Sequence, residues 1–503
     1  MSHFSCKLTG IYFQVLPFII CVCLAVSCVK PDENLPLKFN FFEEEQPPTP
    51  ILTFDTVFTS IGSVTRRFTV HNPNNNEITT NILLAGGKKS NFSINVNGVF
   101  NTDFKNVTIP KKDSIFVLVK VNVDPGNVND PFLLTDSILF QTGSRNQKVK
   151  LMAYGQDANY IVADRGSEGL RYKIVSGLPI DPVSGEPTGY VQHVTWTKDK
   201  PYVVYGWAAI DSTCSLTIEA GTKIYFHNNS GLWASPYSSL EVNGTIDQPV
   251  LFRGDRLEKW YDTDYAQWNR IWINEGANVT ISNAIVTNAF IGIQVDPFPY
   301  ERVTVTENSL VKIENTIIKN TQKCGLLARF LNVDMTNCVL FNNGASSLRL
   351  EGGNYTMKHI TVGNYFTAAT PTPERKDPAC YVSNFVSDYY GTDAAWDVKA
   401  NFINCILTGK VETEVFAKKV KEKDFAVSFK SCLVKSKNSS EYFDEFCLIN
   451  KNPMFKDTVK QDYSLLPNSP ALGIGVPNIG VPFDILGNSR VDKPDLGAYQ
   501  NGR

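Results

Sequence analysis

Asn283-Ala-Ile-Val286, Asn315-Thr-Ile-Ile318, Asn337-Cys-Val-Leu340 and Lys358-His-Ile-Thr361 lie within the stretch from Val279 to Val362 and align without a gap. Their second residues, Ala284, Thr316, Cys338 and His359, are spaced 32, 22 and 21 apart. Cys405 and Cys432, in Asn404-Cys-Ile-Leu407 and Ser431-Cys-Leu-Val434, extend the series at 46 and 27, the first interval spanning two periods. A period in the low twenties, built from β-branched runs with polar residues between them, belongs to a solenoid. Each run alternates (Ile281 inward, Ser282 outward), which is the period of a strand and not of a helix. The reading is an all-β chain whose main body is a right-handed parallel β-helix, with these six residues in one column.

At 503 residues the chain has room for more than one domain. A charged fraction of 19% with 12% aromatics suits a β-rich protein with a substantial core. A net charge of −2 gives no electrostatic case for nucleic acid as a partner, which would need a clustered basic face. The N-terminus has a separate character. Lys7 precedes an apolar run from Ile11 to Val26, and small residues close it before a cysteine in Leu24-Ala-Val-Ser-Cys28. This is an export signal over residues 1–28, and its end resembles the box of bacterial lipoproteins. That resemblance implies acylation at Cys28, membrane attachment through the lipid, and an outer-membrane, surface-exposed location. Asp32 and Glu33 close behind the cysteine resemble surface-export signals. Residues 29–50, with Pro and Glu, read as a tether.

From 51 to 156, short alternating segments such as Arg67-Phe-Thr-Val-His71 and Ser114-Ile-Phe-Val-Leu-Val-Lys-Val121 are separated by Asn, Gly and Pro clusters. About seven such strands predict an immunoglobulin-like β-sandwich. Residues 157–200 read as a connector and cap, and 201–503 as the β-helix. Two polar, aromatic excursions interrupt its coils, at 253–270 and 366–398. Of the 11 cysteines, four belong to the signal and its lipid site. The other seven have no CxxC spacing, so free thiols packed as small apolar groups are expected.

Leu216-Thr-Ile-Glu-Ala-Gly221 and Ser239-Leu-Glu-Val-Asn-Gly244 resemble phrases of pectate-lyase-like β-helix proteins. Asp484-Ile-Leu-Gly-Asn-Ser-Arg490 with Pro494-Asp-Leu-Gly-Ala-Tyr499 resembles the terminal segment of bacterial surface β-helix proteins, with Gln500 where that pattern has an acid. The resemblance implies fold and surface location, and a salt-bridged C-terminal cap built from Asp484, Arg490 and Asp495. It covers lyases, hydrolases and proteins without activity, so function has to come from a site.

No phosphate loop, HExxH, GxSxG or metal-spaced cysteine cluster occurs. Twelve or thirteen residues after each aligned segment runs a second strand, ending in Asp296, Arg329 and Glu351, which stand 33 and 22 apart. Alternation puts Ile293, Val295, Leu348 and Leu350 inside and these three charges outside, as an exposed acid–base–acid row. Such a row serves as an ion-pair ladder or grips an acidic or hydroxylated sugar. Trp260, Asp262, Asp264, Trp268 and Arg270 of the first excursion are further ligand-binding candidates. No residue qualifies as catalytic, no metal site or cofactor is indicated, and only calcium finds ligand types, in Asp255, Asp262 and Asp264. The expectation is a non-catalytic module that binds glycan or a partner. The alternative is a polysaccharide lyase or glycoside hydrolase acting on an acidic polysaccharide.

Overall fold

The computed structural model describes residues 35–501 apart from 42–49, 59–64, 123–131, 168, 179–183, 185, 187–188, 190–191, 258–260, 298–309, 367–374, 388–392, 421, 438–440 and 491. Cys28 and the export signal lie outside the described residues. The chain forms two compact units, one ending at Gln156 and the other beginning at Asp157.

The first unit is a pair of five-stranded sheets closed over one core that includes Phe68, Ile82, Val117, Phe140 and Leu151. Part of the stretch expected as tether is structured here. Lys38–Phe41 pairs antiparallel with Arg66–His71, and Leu37 exchanges two hydrogen bonds with the Gln147 side chain, at 3.0 and 2.9 Å.

The second unit is a parallel β-helix. Among the described residues its strands form three sheets of 11, 10 and 9 strands, here faces A, B and C, which the chain visits in that order on each coil. Tyr202–Tyr205, Trp207–Ile210 and Ser215–Glu219 make one coil, and each pairs in parallel with its counterpart a coil later. The stretch expected as connector already belongs to the solenoid. Asn159–Val162, Leu170–Ser176 and His193–Trp196 pair in parallel with the first coil on faces A, B and C. The 366–398 excursion is two insertions around one strand, because Cys380–Ser383 continues face B between Leu348–Glu351 and Val415–Lys418.

The corner between faces C and A sets the register. Asn283, Asn315, Asn337, His359, Asn404 and Ser431 stand there with φ of 50°, 48°, 51°, 53°, 57° and 47°. Asparagine enters this left-handed region more readily than other residues with a Cβ. One residue on, the side chain turns inward. Pairing of Val339 with Thr361 and of Thr361 with Ile406 puts Ile360, and not His359, in the column with Cys338 and Cys405. The column is therefore Ala284, Thr316, Cys338, Ile360, Cys405 and Cys432, with Cys447 following Cys432 by the pairing of Leu433 with Leu448. The seven described cysteines are free thiols, all buried but Cys447, which is partly so. Burial pushes the Cys338 thiol up to about 12.

Alternation on face A leaves Val339, Ile406 and Leu433 pointing outward, yet all three are buried. The C-terminal segment covers them. Tyr463, Ile485 and Ala498 pack on Val339 and Phe341, and Leu465, Ala471 and Leu496 on Ile406 and Leu433. Removing such side chains from water is worth about 1.5–3 kcal/mol each. Gly363 makes room for this seam, since a Cβ there would lie 2.1 Å from the Tyr463 ring. Asp484, Arg490 and Asp495 are buried within it. Arg490 donates to the Gly497 carbonyl at 2.9 Å and to Asn337 Oδ1 at 3.2 Å. Asp484 accepts from the backbone of Leu486, Asn488 and Gln500, and Asp495 from that of Gly473 and Asn501. The terminal motif thus staples a seam along face A through these hydrogen bonds, while the charges of Asp484 and Asp495 favour the Arg490 guanidinium against its burial.

His359 joins corner and seam. Its Nδ1 meets the Gly497 carbonyl at 3.2 Å and its Nε2 meets Asn404 Nδ2 at 3.1 Å, which together require a neutral ring with the proton on Nδ1. Burial, with Arg490 nearby, pulls its pKa down to about 3. A histidine depressed in the folded state adds stability above its unfolded value near 6.5 and loses it as pH falls from there towards 3. Urea unfolding should show stability falling by up to ~1.4 kcal/mol per pH unit across that window from this residue. His359→Asn, which restores the corner residue of the neighbouring rungs, should fold and lose this component of the slope.

Candidate functional site

Face B carries the polar row. Ile293 pairs with Leu326 and Leu326 with Leu348, so Asp296, Arg329 and Glu351 do follow one another in successive rungs. They are not exposed. Asp296 and Glu351 are buried, and the Arg329 side chain is 16% accessible. Both carboxylates are occupied by donors of the protein itself. Glu351 Oε2 receives Arg329 Nε at 2.8 Å, and Oε1 receives Arg349 Nε at 2.7 Å and Nη2 at 2.6 Å. Asp296 Oδ1 receives the Trp272 indole N–H at 2.7 Å, and Oδ2 the Gln294 amide at 2.6 Å.

The outward column two residues earlier holds Trp233, Trp272, Gln294, Leu327, Arg349, Tyr381 and Phe416 in consecutive rungs. These residues were not singled out from sequence, although the alternation that selects Asp296 and Glu351 selects Gln294 and Arg349 equally. Trp233 and Trp272 stack at 5.6 Å between centroids with a 19° tilt. Their indole N–H groups are tied to Asn274 Oδ1 at 2.6 Å and to Asp296, so both rings are half-buried and fixed. Arg349 lies over the Tyr381 ring at 4.5 Å and Tyr381 stacks on Phe416 at 5.4 Å. Burial pulls Arg349 down, but the Glu351 charge and hydrogen bond outweigh it and hold the guanidinium above its ordinary value. Cys324, buried nearby, has its thiol pushed up to about 11 by burial, which leaves it a poor nucleophile.

Of the first excursion, Arg270 reaches this face. Its Nε donates to Asn269 and its Nη1 to Gln294, which links it to Asp296. Trp268 belongs to the core instead. It is buried, stacks on Phe226 at 4.3 Å and donates to the Thr287 carbonyl at 2.7 Å. Asp262 pairs with Arg253 at 3.2 Å. The backbone carbonyls of Asp262 and Asp264 accept from Asn288 at 3.0 and 2.6 Å, which pins the loop to the corner between faces A and B. Trp260 lies outside the described residues. Asp255 pairs with His227 at 2.7 Å, and among the described residues no three His, Cys, Asp or Glu side chains gather to hold a metal ion.

No protein-family model matches the chain, and no curated protein matches it. Among solved structures it is similar to the catalytic domain of a GH87 alpha-1,3-glucanase in complex with nigerose, at 9% identity and a TM-score of 0.15, over 77% of this chain and 92% of that one. A family 123 glycoside hydrolase from Clostridium perfringens is similar over 24% of this chain and 28% of that one, at 9% identity and a TM-score of 0.19. The collagen-binding subdomain of the Enterococcus faecalis surface protein ACE is similar over 20% of this chain and 93% of that one, at 14% identity and a TM-score of 0.12. Likenesses this distant carry no argument about the site.

Burial also revises the energetics of the row. Glu351→Ala would leave Arg329 and Arg349 crowded without their shared counter-charge, and should cost about 3 kcal/mol. Arg329→Ala keeps Glu351 paired with Arg349 and should cost less. Urea denaturation of the two variants beside the parent checks the order.

Proposed function

We propose that the chain is a surface lipoprotein, anchored in the outer membrane through an acylated Cys28, whose face B binds a glycan without cleaving it. The N-terminal sandwich, read as immunoglobulin-like, serves as the spacer between lipid and solenoid. One observation carries the glycan-binding, non-cleaving part of this reading: both carboxylates of the row are committed to protein donors. Hydrolysis of a glycoside needs two carboxyl groups about 5–9.5 Å apart that are free to give and take protons or to attack. Glu351 holds two arginines and Asp296 holds Trp272 and Gln294, so each acts as a positioning residue. A lyase or hydrolase on an acidic polysaccharide would have to displace these partners first.

The groups they position suit a sugar. A stacked tryptophan pair offers a flat apolar surface at low entropic cost, because its rings are already fixed. The part of Arg349 left by Glu351 and Tyr381 offers N–H donors to hydroxyl or carboxylate oxygens. Trp272 to Arg349 spans three rungs of about 4.8 Å each, a length for several sugar units.

A glycan array followed by calorimetry on the best ligand tests this. Trp233→Ala and Arg349→Ala should each weaken Kd by about tenfold or more, which is about 1.4 kcal/mol. No new reducing ends or unsaturated products should accumulate with the parent protein. Turnover by the parent that disappears in Glu351→Gln would overturn the reading. Separately, Cys28→Ser should move the protein out of the membrane fraction.

A further inference from the structure

Face A carries a second cluster, at its N-terminal rungs, that neither the core nor face B uses. Val204 pairs with Phe226 and Phe226 with Gly254, so the next residues along, Tyr205, His227 and Asp255, follow one another in three successive rungs. Asp255 Oδ2 meets His227 Nδ1 at 2.7 Å. From the preceding rung the Tyr205 ring stacks on the imidazole at 4.5 Å between centroids with a 29° tilt. The His227 side chain is 49% accessible and that of Asp255 14%. With Nδ1 and one ring face engaged on a half-exposed side chain, Nε2 is the ring nitrogen left for a further partner.

The charges around the ring favour the imidazolium. The Asp255 hydrogen bond raises the His227 pKa above its ordinary value, against burial and the Arg256 guanidinium, which lower it. Burial and Asp255 raise the Tyr205 phenol, so it stays neutral beside the ring. A histidine held by a carboxylate on one nitrogen, with a guanidinium nearby, presents a single directed N–H donor of positive charge. Metal chemistry would need further ligands, and among the described residues no group of three gathers.

We propose that Tyr205, His227 and Asp255 form a second recognition seat, in which protonated His227 takes one anionic oxygen group of a sugar, a carboxylate or a sulfate, through Nε2–H. The proposal rests on the glycan reading only for the source of the anion. Since the anion needs the protonated ring, affinity is full below the His227 midpoint and falls about tenfold per pH unit above it.

The chain has five histidines, so ring-proton resonances can be followed by NMR and His227 assigned by its loss in His227→Gln. Glucuronate and glucose 6-sulfate should move the His227 midpoint upward, and glucose should leave it in place. In Asp255→Asn the midpoint should drop, and the pH range of anion binding should drop with it. A midpoint indifferent to both sugar acids overturns the proposal, and a response to inorganic phosphate alone overturns its sugar assignment. The two readings fail separately. If Trp233→Ala and Arg349→Ala leave glycan affinity intact while glucuronate still shifts His227, the face B reading falls and this one stands. If His227→Gln keeps full affinity for an acidic glycan and the midpoint never moves, only this proposal falls.

Discussion

A left-handed residue at each of six successive corners holds this part of the solenoid in register. At the corner from face C to face A the backbone reverses through a positive φ at Asn283, Asn315, Asn337, His359, Asn404 and Ser431. Because side chains alternate along a strand, the corner decides which residues of each following strand point inward. It places Ala284, Thr316, Cys338, Ile360, Cys405 and Cys432 in the core and Val339, Ile406 and Leu433 outside. An apolar outer row cannot face water at no cost, and the C-terminal seam covers it. Face B, whose outer row is largely polar and aromatic, has no such need and is the face proposed for recognition.

Much of this was legible in the residues, and the errors have physical causes. The period, the strands and the free thiols follow from intervals and alternation. The one-residue slip at His359 arose from aligning the segments on their inward residue, where small and β-branched side chains look alike. Aligning on the residue that must enter the left-handed region, asparagine in most rungs, gives 22 residues from Asn337 to His359, the same interval as from Arg329 to Glu351. The seam was beyond reach, because it pairs Asn337 with Phe483 through one long-range hydrogen bond and Asn404 with Val476 through two. Trp268 was ambiguous for a related reason. An aromatic residue in a polar excursion serves a ligand or the core equally well until its neighbour, Phe226, is known.

The direction of Asp296, Arg329 and Glu351 was legible too, but their accessibility was not. Alternation tells which face a side chain leaves from and says nothing about what closes over it. Burial changes what these charges do. A solvated Glu351 would be a weak rung-to-rung pair worth under about 1 kcal/mol. Enclosed between Arg329 and Arg349, it aims one guanidinium along the face and rests it on Tyr381. Asp296 does the same for Trp272. In the proposed reading the acids of face B are the scaffold of the site, and its aromatic and guanidinium groups are the part that would meet a ligand.

That division is open to a direct observation. A crystal structure at a resolution that places ordered water would show what surrounds the four carboxylate oxygens of Asp296 and Glu351. A binding face predicts that they are met by Trp272, Gln294, Arg329 and Arg349, with no water shared between the two acids. A well-ordered water bridging Asp296 and Glu351, in line with a bound sugar, would be the attacking molecule of a hydrolase and would contradict it.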